Sequence, residues 1–325
     1  MLGGGNSSIS NSDRLMDKRK EWQKVLLGFV AMLLLVFVAD CVVGFAFEKA
    51  YRNSKYGIFH RQEYCLHESK DEILIFGSSR AAHHYVPQIF TDSLGMSCYN
   101  CGSDGECIYY HYGILSSYIQ RGDIPKIVLL DITKEDAVAY DGASFNLDAA
   151  IERFAPNYGE YVEIDSLILL NGWNERVKLF SKCYRYNSKA VQLVKCNFIP
   201  WPENQGYEAV FGELSDTTSL RNIKYKNEKI EQEKIVYFNK FIKACKDNNI
   251  QLYIIESPSY IISSSVGIDT LMAIAKANNI MWLDYKNQKE MMRKEYFRDL
   301  GHLNDSGAHI FSSIIANDIK KKYSD

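Results

Sequence analysis

The sequence predicts an α/β domain, a doubly wound parallel sheet with helices on both faces, carried behind an N-terminal transmembrane helix. Two patterns carry that expectation. From residue 70 onward, short apolar runs of strand length alternate with segments of helical period, and strands apolar throughout are those buried on both faces of a parallel sheet. Ahead of them, residues 25–47 form one apolar stretch containing a single acid, Asp40, and no base. At ~1.5 Å per residue such a stretch crosses the ~30 Å hydrocarbon core of a bilayer.

Three segments follow from this division: a polar tail over 1–24, the anchor over 25–47 and the domain over 48–325. The apolar run is longer than the core of a cleaved leader, and the FEKAYR that succeeds it offers no small-residue cleavage site. The stretch from Val38 to Cys41 is loosely similar to a lipoprotein cleavage box, but the acid beside the cysteine argues against that use. Five Lys and Arg precede the run, and Lys49, Arg52, Lys55 and Arg61 follow it, so the positive-inside bias is slight. It is read as a single-pass protein with a cytoplasmic tail and an extracytoplasmic, periplasm-facing domain.

Within the domain, 72–76 (EILIF) reads as the first strand, 80–94 as a helix, 96–100 as the second strand and 106–120 as a helix. Residues 126–132 (KIVLLDI) form the third strand. A long amphipathic helix is expected over 224–247, then strand 251–255, helix 269–278, strand 281–284 and a final helix over 305–322. Residues 133–222 do not fit the alternation and are read as an insertion serving as lid, subdomain or binding element. Its Trp173, Tyr184, Tyr186, Trp201 and Tyr207 either stack on sugar rings or form the insertion's own core.

Composition narrows the function. The net charge is 38 − 40 = −2, without the basic surface that nucleic-acid binding needs. Hydrophobic residues make up 46% and charged residues 24%, which excludes a disordered chain. Seven cysteines lie outside the apolar run; an odd number leaves at least one unpaired in an oxidising space. Cys98, Cys101, Cys107 and His111 can be drawn as a zinc site, but without a second CxxC pair the cysteines read better as buried free thiols.

Two motifs fall at the carboxyl edge of the predicted sheet, where open α/β sheets build their sites. Gly77-Ser78-Ser79-Arg80 follows strand one directly. A serine at such a turn presents its hydroxyl at the sheet edge and its N–H toward an incoming oxyanion. Asp299 precedes His302 by three residues, within reach of Nδ1, which leaves Nε2 to take a proton from a serine. His83 and His84, one turn beyond the serine, are expected on the helix surface, and 256–260 (ESPSY) as pocket wall. A phosphate-binding role is disfavoured, since neither a P-loop nor GxGxxG follows strand one.

Together the two motifs resemble those of the SGNH/GDSL hydrolase superfamily, over about 70–135 and 225–322. The resemblance implies a three-layer α/β/α fold and a serine esterase or O-acyltransferase. Its nucleophile would be Ser79, with His302 as base, Asp299 as its orienter, and the N–H groups of Ser79 and Gly102 as oxyanion hole. Ser78 stands where the family has Asp, a GSS variant similar to that of membrane-anchored relatives such as the D-alanyl transfer proteins of teichoic acid synthesis. The resemblance further implies an acylated envelope glycan as substrate, an integral-membrane acyl-donor partner, and neither metal nor cofactor. The family's third block supplies an Asn, and 130–136 (LDITKED) contains none. That departure keeps a second expectation open, a catalytically degenerate binding or scaffolding module on the same fold.

Overall fold

The computed structural model describes residues 11–140, 142, 145–186, 189–215, 217–225 and 227–323. Residues 1–10 of the expected polar tail lie outside the described residues. A single helix, α1 (Asn11–Arg52), runs through the rest of the tail and the apolar stretch into the domain. It holds one apolar window long enough to cross a membrane, all of it exposed on the chain.

Helix α2 (Gly57–Glu63) leads to β1 (Ile73–Phe76), α3 (Ser79–His84), α4 (Pro87–Leu94), β2 (Cys98–Asn100), α5 (Ile108–Arg121) and β3 (Ile127–Asp131). Four short helices follow: α6 (Leu147–Phe154), α7 (Val162–Ile168), α8 (Trp173–Lys178) and α9 (Ala190–Phe198). Then come β4 (Arg221–Lys224), α10 (Gln232–Asp247), β5 (Gln251–Glu256), β6 (Ile261–Ser264), α11 (Val266–Ala277), β7 (Met281–Asp284) and α12 (Asp305–Tyr323).

Five strands pair in the order β2-β1-β3-β5-β7, all parallel. Side chains alternate between the sheet's faces, and the burial follows that period. Leu74, Phe76, Val128, Leu130, Leu252 and Ile254 pack with Phe238 and Phe241 of α10 and Ile114 of α5. Ile73, Ile75, Ile127, Leu129, Tyr253 and Ile255 pack with Phe90 of α4 and Phe311 and Ile315 of α12. Helices thus cover both faces. The chain leaves β1 toward β2 on one side and returns to β3 on the other, which opens a crevice at the carboxyl ends of β1 and β3.

The structure departs from the sequence expectations in two places. The helix expected over 80–94 is two helices, because Pro87 lacks an N–H and forces Val86 to extended backbone. The helix expected from residue 224 starts at Gln232; the preceding 221–224 pairs instead with β6 as a two-stranded parallel ribbon. The insertion, read as lid, subdomain or binding element, packs into the domain. Phe154, Ile164, Leu167 and Leu179 join the core beneath α5, and Tyr186, Leu193 and Cys196 close around Tyr51 of α1 and Phe59 of α2.

The last three turns of α1 belong to the domain. Tyr51 is fully buried and its hydroxyl donates to Asn157 Oδ1 at 3.2 Å. Arg52 pairs with Glu63 at 2.7 Å and also with Glu160. Higher up, Asp40 accepts hydrogen bonds from the Ser181 hydroxyl (2.5 Å) and from the N–H groups of Lys182 (2.9 Å) and Cys183 (3.1 Å).

All eight cysteines are free. Cys98 faces one core, while Cys101 and Cys107 face the other, so the zinc grouping does not assemble. His111 is fully buried with its Nε2 3.8 Å from Asp136.

Gly77, at the end of β1, makes a close approach to β3. Its φ is +146°, and a Cβ there would lie 2.5 Å from the Asp131 carbonyl oxygen of β3. Gly77→Ala is therefore expected to cost about 1–3 kcal/mol or more, seen as a lowered urea midpoint with an unchanged slope.

Candidate active site

Ser79 is the first residue of α3, placed at the crevice by the Gly77 turn. Its Oγ lies 2.8 Å from His302 Nε2, although 223 residues separate the two. His302 Nδ1 lies 3.0 and 3.1 Å from the two carboxylate oxygens of Asp299. Asp299 Oδ1 also accepts the N–H groups of Gly301 (2.8 Å) and His302 (3.0 Å), which fix its orientation. Partial burial works against its charge, but the His302 and Gly301 hydrogen bonds outweigh it and hold the carboxyl down to about 2. Asp299 is thus ionised throughout the physiological range, and the acceptor for an Nδ1–H is in place.

Ser78 occupies the N-cap position and is buried, with its carbonyl accepting the Ala82 N–H at 3.2 Å. Of the two serines, the one in contact with the histidine is Ser79.

Gly102 approaches the first turns of α3 so closely that a Cβ would lie 2.5 Å from the Ala82 nitrogen. Its N–H, expected to face an oxyanion, donates instead to Asn100 Oδ1 at 2.9 Å. Asn100 Nδ2 in turn donates to the carbonyls of Ala81 (2.7 Å) and Tyr85 (3.0 Å). The pair clamps the β2 loop onto α3, which is why a glycine and an asparagine stand there.

His83 and His84, expected on the helix surface, are both buried because α3 is covered by α12 and by residues 207–209. His84 Nε2 accepts the Leu303 N–H at 3.0 Å, and its Nδ1 meets the Ser257 hydroxyl at 3.1 Å. An imidazole that accepts a backbone N–H must be neutral there. Burial, with the charges of Arg80 and the neighbouring histidines, pushes its pKa well below the ordinary value. His83 Nδ1 contacts the Glu208 carbonyl at 2.8 Å, its Nε2 lies 3.5 Å from Asp104, and its ring stands edge-on to His302 at 5.7 Å.

His83, Asp104 and Glu208 are the group of potential metal ligands that comes together among the described residues. The Glu208 carboxylate is committed to Arg61, so the cluster is read as a polar wall beside His302.

Arg80, next to Ser79, spans the strand ends. It donates to the carbonyls of Ile132 and Ser257 (2.5 and 3.4 Å) and lies 3.4 Å from Asp131. Nothing in the sequence marked it beyond its place in the motif.

The cleft at Ser79 and His302 has a volume of about 280 Å³; its walls include Lys134, Glu135, Phe145, Tyr225, Glu256 and Ser259. The last two come from the stretch read as pocket wall. Lys134 pairs with Glu135 at 3.0 Å and lies 4.5 Å from the Tyr225 ring centroid. Fully buried Lys234 holds this wall from behind, donating to the carbonyls of Glu135, Val138 and Phe145 at 2.9, 2.7 and 2.7 Å. The aromatics singled out in the insertion lie elsewhere, with Tyr184 half-buried against the main core. Tyr186 and Tyr207 are buried in separate small cores, and Trp173 and Trp201 stand exposed.

No family model matches the chain, and no curated protein matches it. Among solved structures, the crystal structure of a candidate acylhydrolase from Bacteroides fragilis NCTC 9343 is similar with a TM-score of 0.37 and 13% identity, covering 77% of this chain and 86% of its own. A likeness at that level carries no functional argument.

Burial opposes charge on His83, but Asp104 and Glu208 raise its pKa above the ordinary histidine value of about 6.5. A raised histidine contributes stability that is fully present below the unfolded value and lost as pH rises through the folded one. Asp104→Asn is expected to flatten that decline above about pH 6.5, measured by thermal unfolding across pH, and to lower the His83 pKa in NMR titration.

Proposed function

We propose that this chain is a membrane-anchored serine esterase or O-acyltransferase of SGNH type, acting on acyl esters, acetyl above all, of a cell-envelope glycan. The observation that carries this reading is the Ser79–His302–Asp299 relay, with its 2.8 Å serine–histidine contact at the crevice between β1 and β3. A hydroxyl 2.8 Å from an imidazole that is itself backed by an ionised carboxylate has what nucleophilic acyl transfer needs.

Ser79 Oγ attacks the ester carbonyl carbon while its proton passes to His302 Nε2, and Asp299 stabilises the imidazolium. The tetrahedral oxyanion is met by the Ser79 N–H and by the Lys134 ammonium, which lines the cleft where the family has its Asn. Collapse breaks the bond to the alcohol oxygen, which leaves with the proton from His302. Water, or a hydroxyl of a second sugar, then gives its proton to His302 and attacks the acyl carbon; the bond from that carbon to Ser79 Oγ breaks, and Oγ takes the proton back from His302. Phe145 and Tyr225 offer the aromatic faces, and Glu135 and Glu256 the acceptors, that a sugar ring requires. No metal or organic cofactor enters these steps.

The membrane part of the reading is supported by the apolar run 25–47, which lies within a 35-residue helix long and apolar enough to cross a membrane, and by the engagement of α1 with the domain through Asp40 and Tyr51. A leader destined for removal has no need of such contacts. The domain lies extracytoplasmically in this reading, beside an integral-membrane acyl donor. The engaged Gly102 amide and the missing Asn favour the second reading, a binding module that has lost its turnover.

Fluorophosphonate labelling of the full chain separates the two. The expected result is labelling that Ser79→Ala abolishes and Ser78→Ala retains; an unlabelled, folded wild-type chain would turn the assignment to the binding module. Asp299→Asn is expected to lower ester hydrolysis by up to ~10⁴-fold through the wrong histidine tautomer. Lys134→Met is expected to lower kcat by roughly 10²-fold if it serves the oxyanion, while KM stays near its wild-type value.

A further inference from the structure

Helices α8 and α9 each carry an apolar face left largely exposed among the described residues. On α8 and the turn after it, Trp173, Val177 and Phe180 recur at helical spacing and are 74%, 58% and 75% exposed. On α9, Leu193 and Cys196 face the core, yet Val191, Val194 and Phe198 on the other side stand exposed, followed by exposed Ile199 and Trp201. A helix apolar on both sides belongs in a core or against lipid. The exposed charges interspersed here are Arg176, Lys178 and Lys195, and the acid among the described residues of 173–202, Glu175, is buried.

This surface adjoins the apolar segment of α1. Phe180 stacks on Phe37 with ring centroids 6.3 Å apart. The 181–183 turn caps Asp40, and a Cβ at Gly44 would lie 2.3 Å from the Lys182 Cβ, so turn and helix touch along 37–44. Asn197 of α9 donates to the Ala50 carbonyl at 3.0 Å. Counting from Val25 at ~1.5 Å per residue, Phe37 lies ~18 Å into a hydrocarbon core of ~30 Å. The partner ring of Phe180 is therefore below the outer boundary, and α9, at the height of Ala50, is close above it.

We propose that the described residues of 173–202, namely 173–186 and 189–202, form a membrane-seating element, whose exposed face lies in the headgroup–acyl boundary beside α1 with an anionic bilayer surface as its ligand. The proposal rests on α1 spanning the membrane. Apolar side chains flanked by Trp and by cations without exposed acids match the interface in both polarity and charge. The ribbon β4–β6 and the Ser79 cleft lie on other elements and remain open to solvent-borne glycan.

The test uses the full chain reconstituted in vesicles of phosphatidylcholine and phosphatidylglycerol. In a Trp22→Phe, Trp282→Phe background, Trp173 and Trp201 report on the element. Replacing the lipid with phosphatidylcholine brominated near the headgroup should diminish their emission, and acrylamide should not. Emission indifferent to bromine and quenched by acrylamide would overturn the proposal. A companion chain retaining only Trp22 reports on α1. Loss of bromine quenching there, with extraction of the chain by alkaline carbonate, removes the anchor reading itself, whereas quenched Trp22 with unquenched Trp173 and Trp201 removes the seating alone. The unsubstituted chain gives a second measure: a photoactivatable phospholipid should label peptides within 173–202, and labelling confined to α1 would overturn the seating.

Discussion

His84 accepts the Leu303 N–H through Nε2 and meets Ser257 through Nδ1, and the geometry of the whole site depends on that one buried imidazole. Leu303 follows His302 directly, so the hydrogen bond ties the histidine loop to the helix that begins with Ser79. Two chain segments more than 200 residues apart are set to hydrogen-bonding distance by a side chain that reacts with nothing. The tie requires the neutral ring, and full burial enforces that form. Ser257, at the other nitrogen, extends the bracing to the end of β5, where Arg80 also lands. The relay is thus supported by residues whose own partners are fixed, which is how a reactive geometry holds within fractions of an ångström.

Much of this was legible from the chain. The strands were, because a strand buried on both faces has to be apolar at every position, as Ile73–Phe76 and Ile127–Leu130 are. Ser79, Asp299 and His302 were picked out by the resemblance of their two motifs to a known family, since neither a serine after a strand nor a histidine before a helix is specific by itself. What could not be read was anything set by an approach between distant segments. The Gly102 N–H turns to Asn100 because the β2 loop presses on α3, and no local pattern encodes that pressure. His83 and His84 look like surface residues in a six-residue helix until α12 covers it. The β4–β6 ribbon escaped notice because each of its strands is four residues long and pairs across almost 40 residues of chain. Polar strands so short carry too little periodicity to register.

The buried charges follow a common rule. Arg61 pairs with Glu208 and donates to the carbonyls of Gly206 and Gly102, Arg153 pairs with Glu106 at 3.1 Å, and Lys234 satisfies three carbonyls. Each brings the inserted helices or loops to the sheet edge with a cation that cannot be left unpaired. They act as positional pins more than as sources of net stability, because desolvation offsets much of their attraction.

The unbroken course of α1 has a mechanical meaning. A domain on a flexible linker sweeps a volume and meets its substrate by diffusion over a leash. Here a 42-residue helix, ~63 Å long, passes into the domain without a hinge and is locked there at Asp40, Tyr51 and Arg52. In the proposed membrane-anchored arrangement, that makes the altitude and compass bearing of the Ser79 cleft fixed properties of the fold. A cleft so held reaches a single stratum beside the bilayer, and its ligand must be brought to that stratum rather than sought.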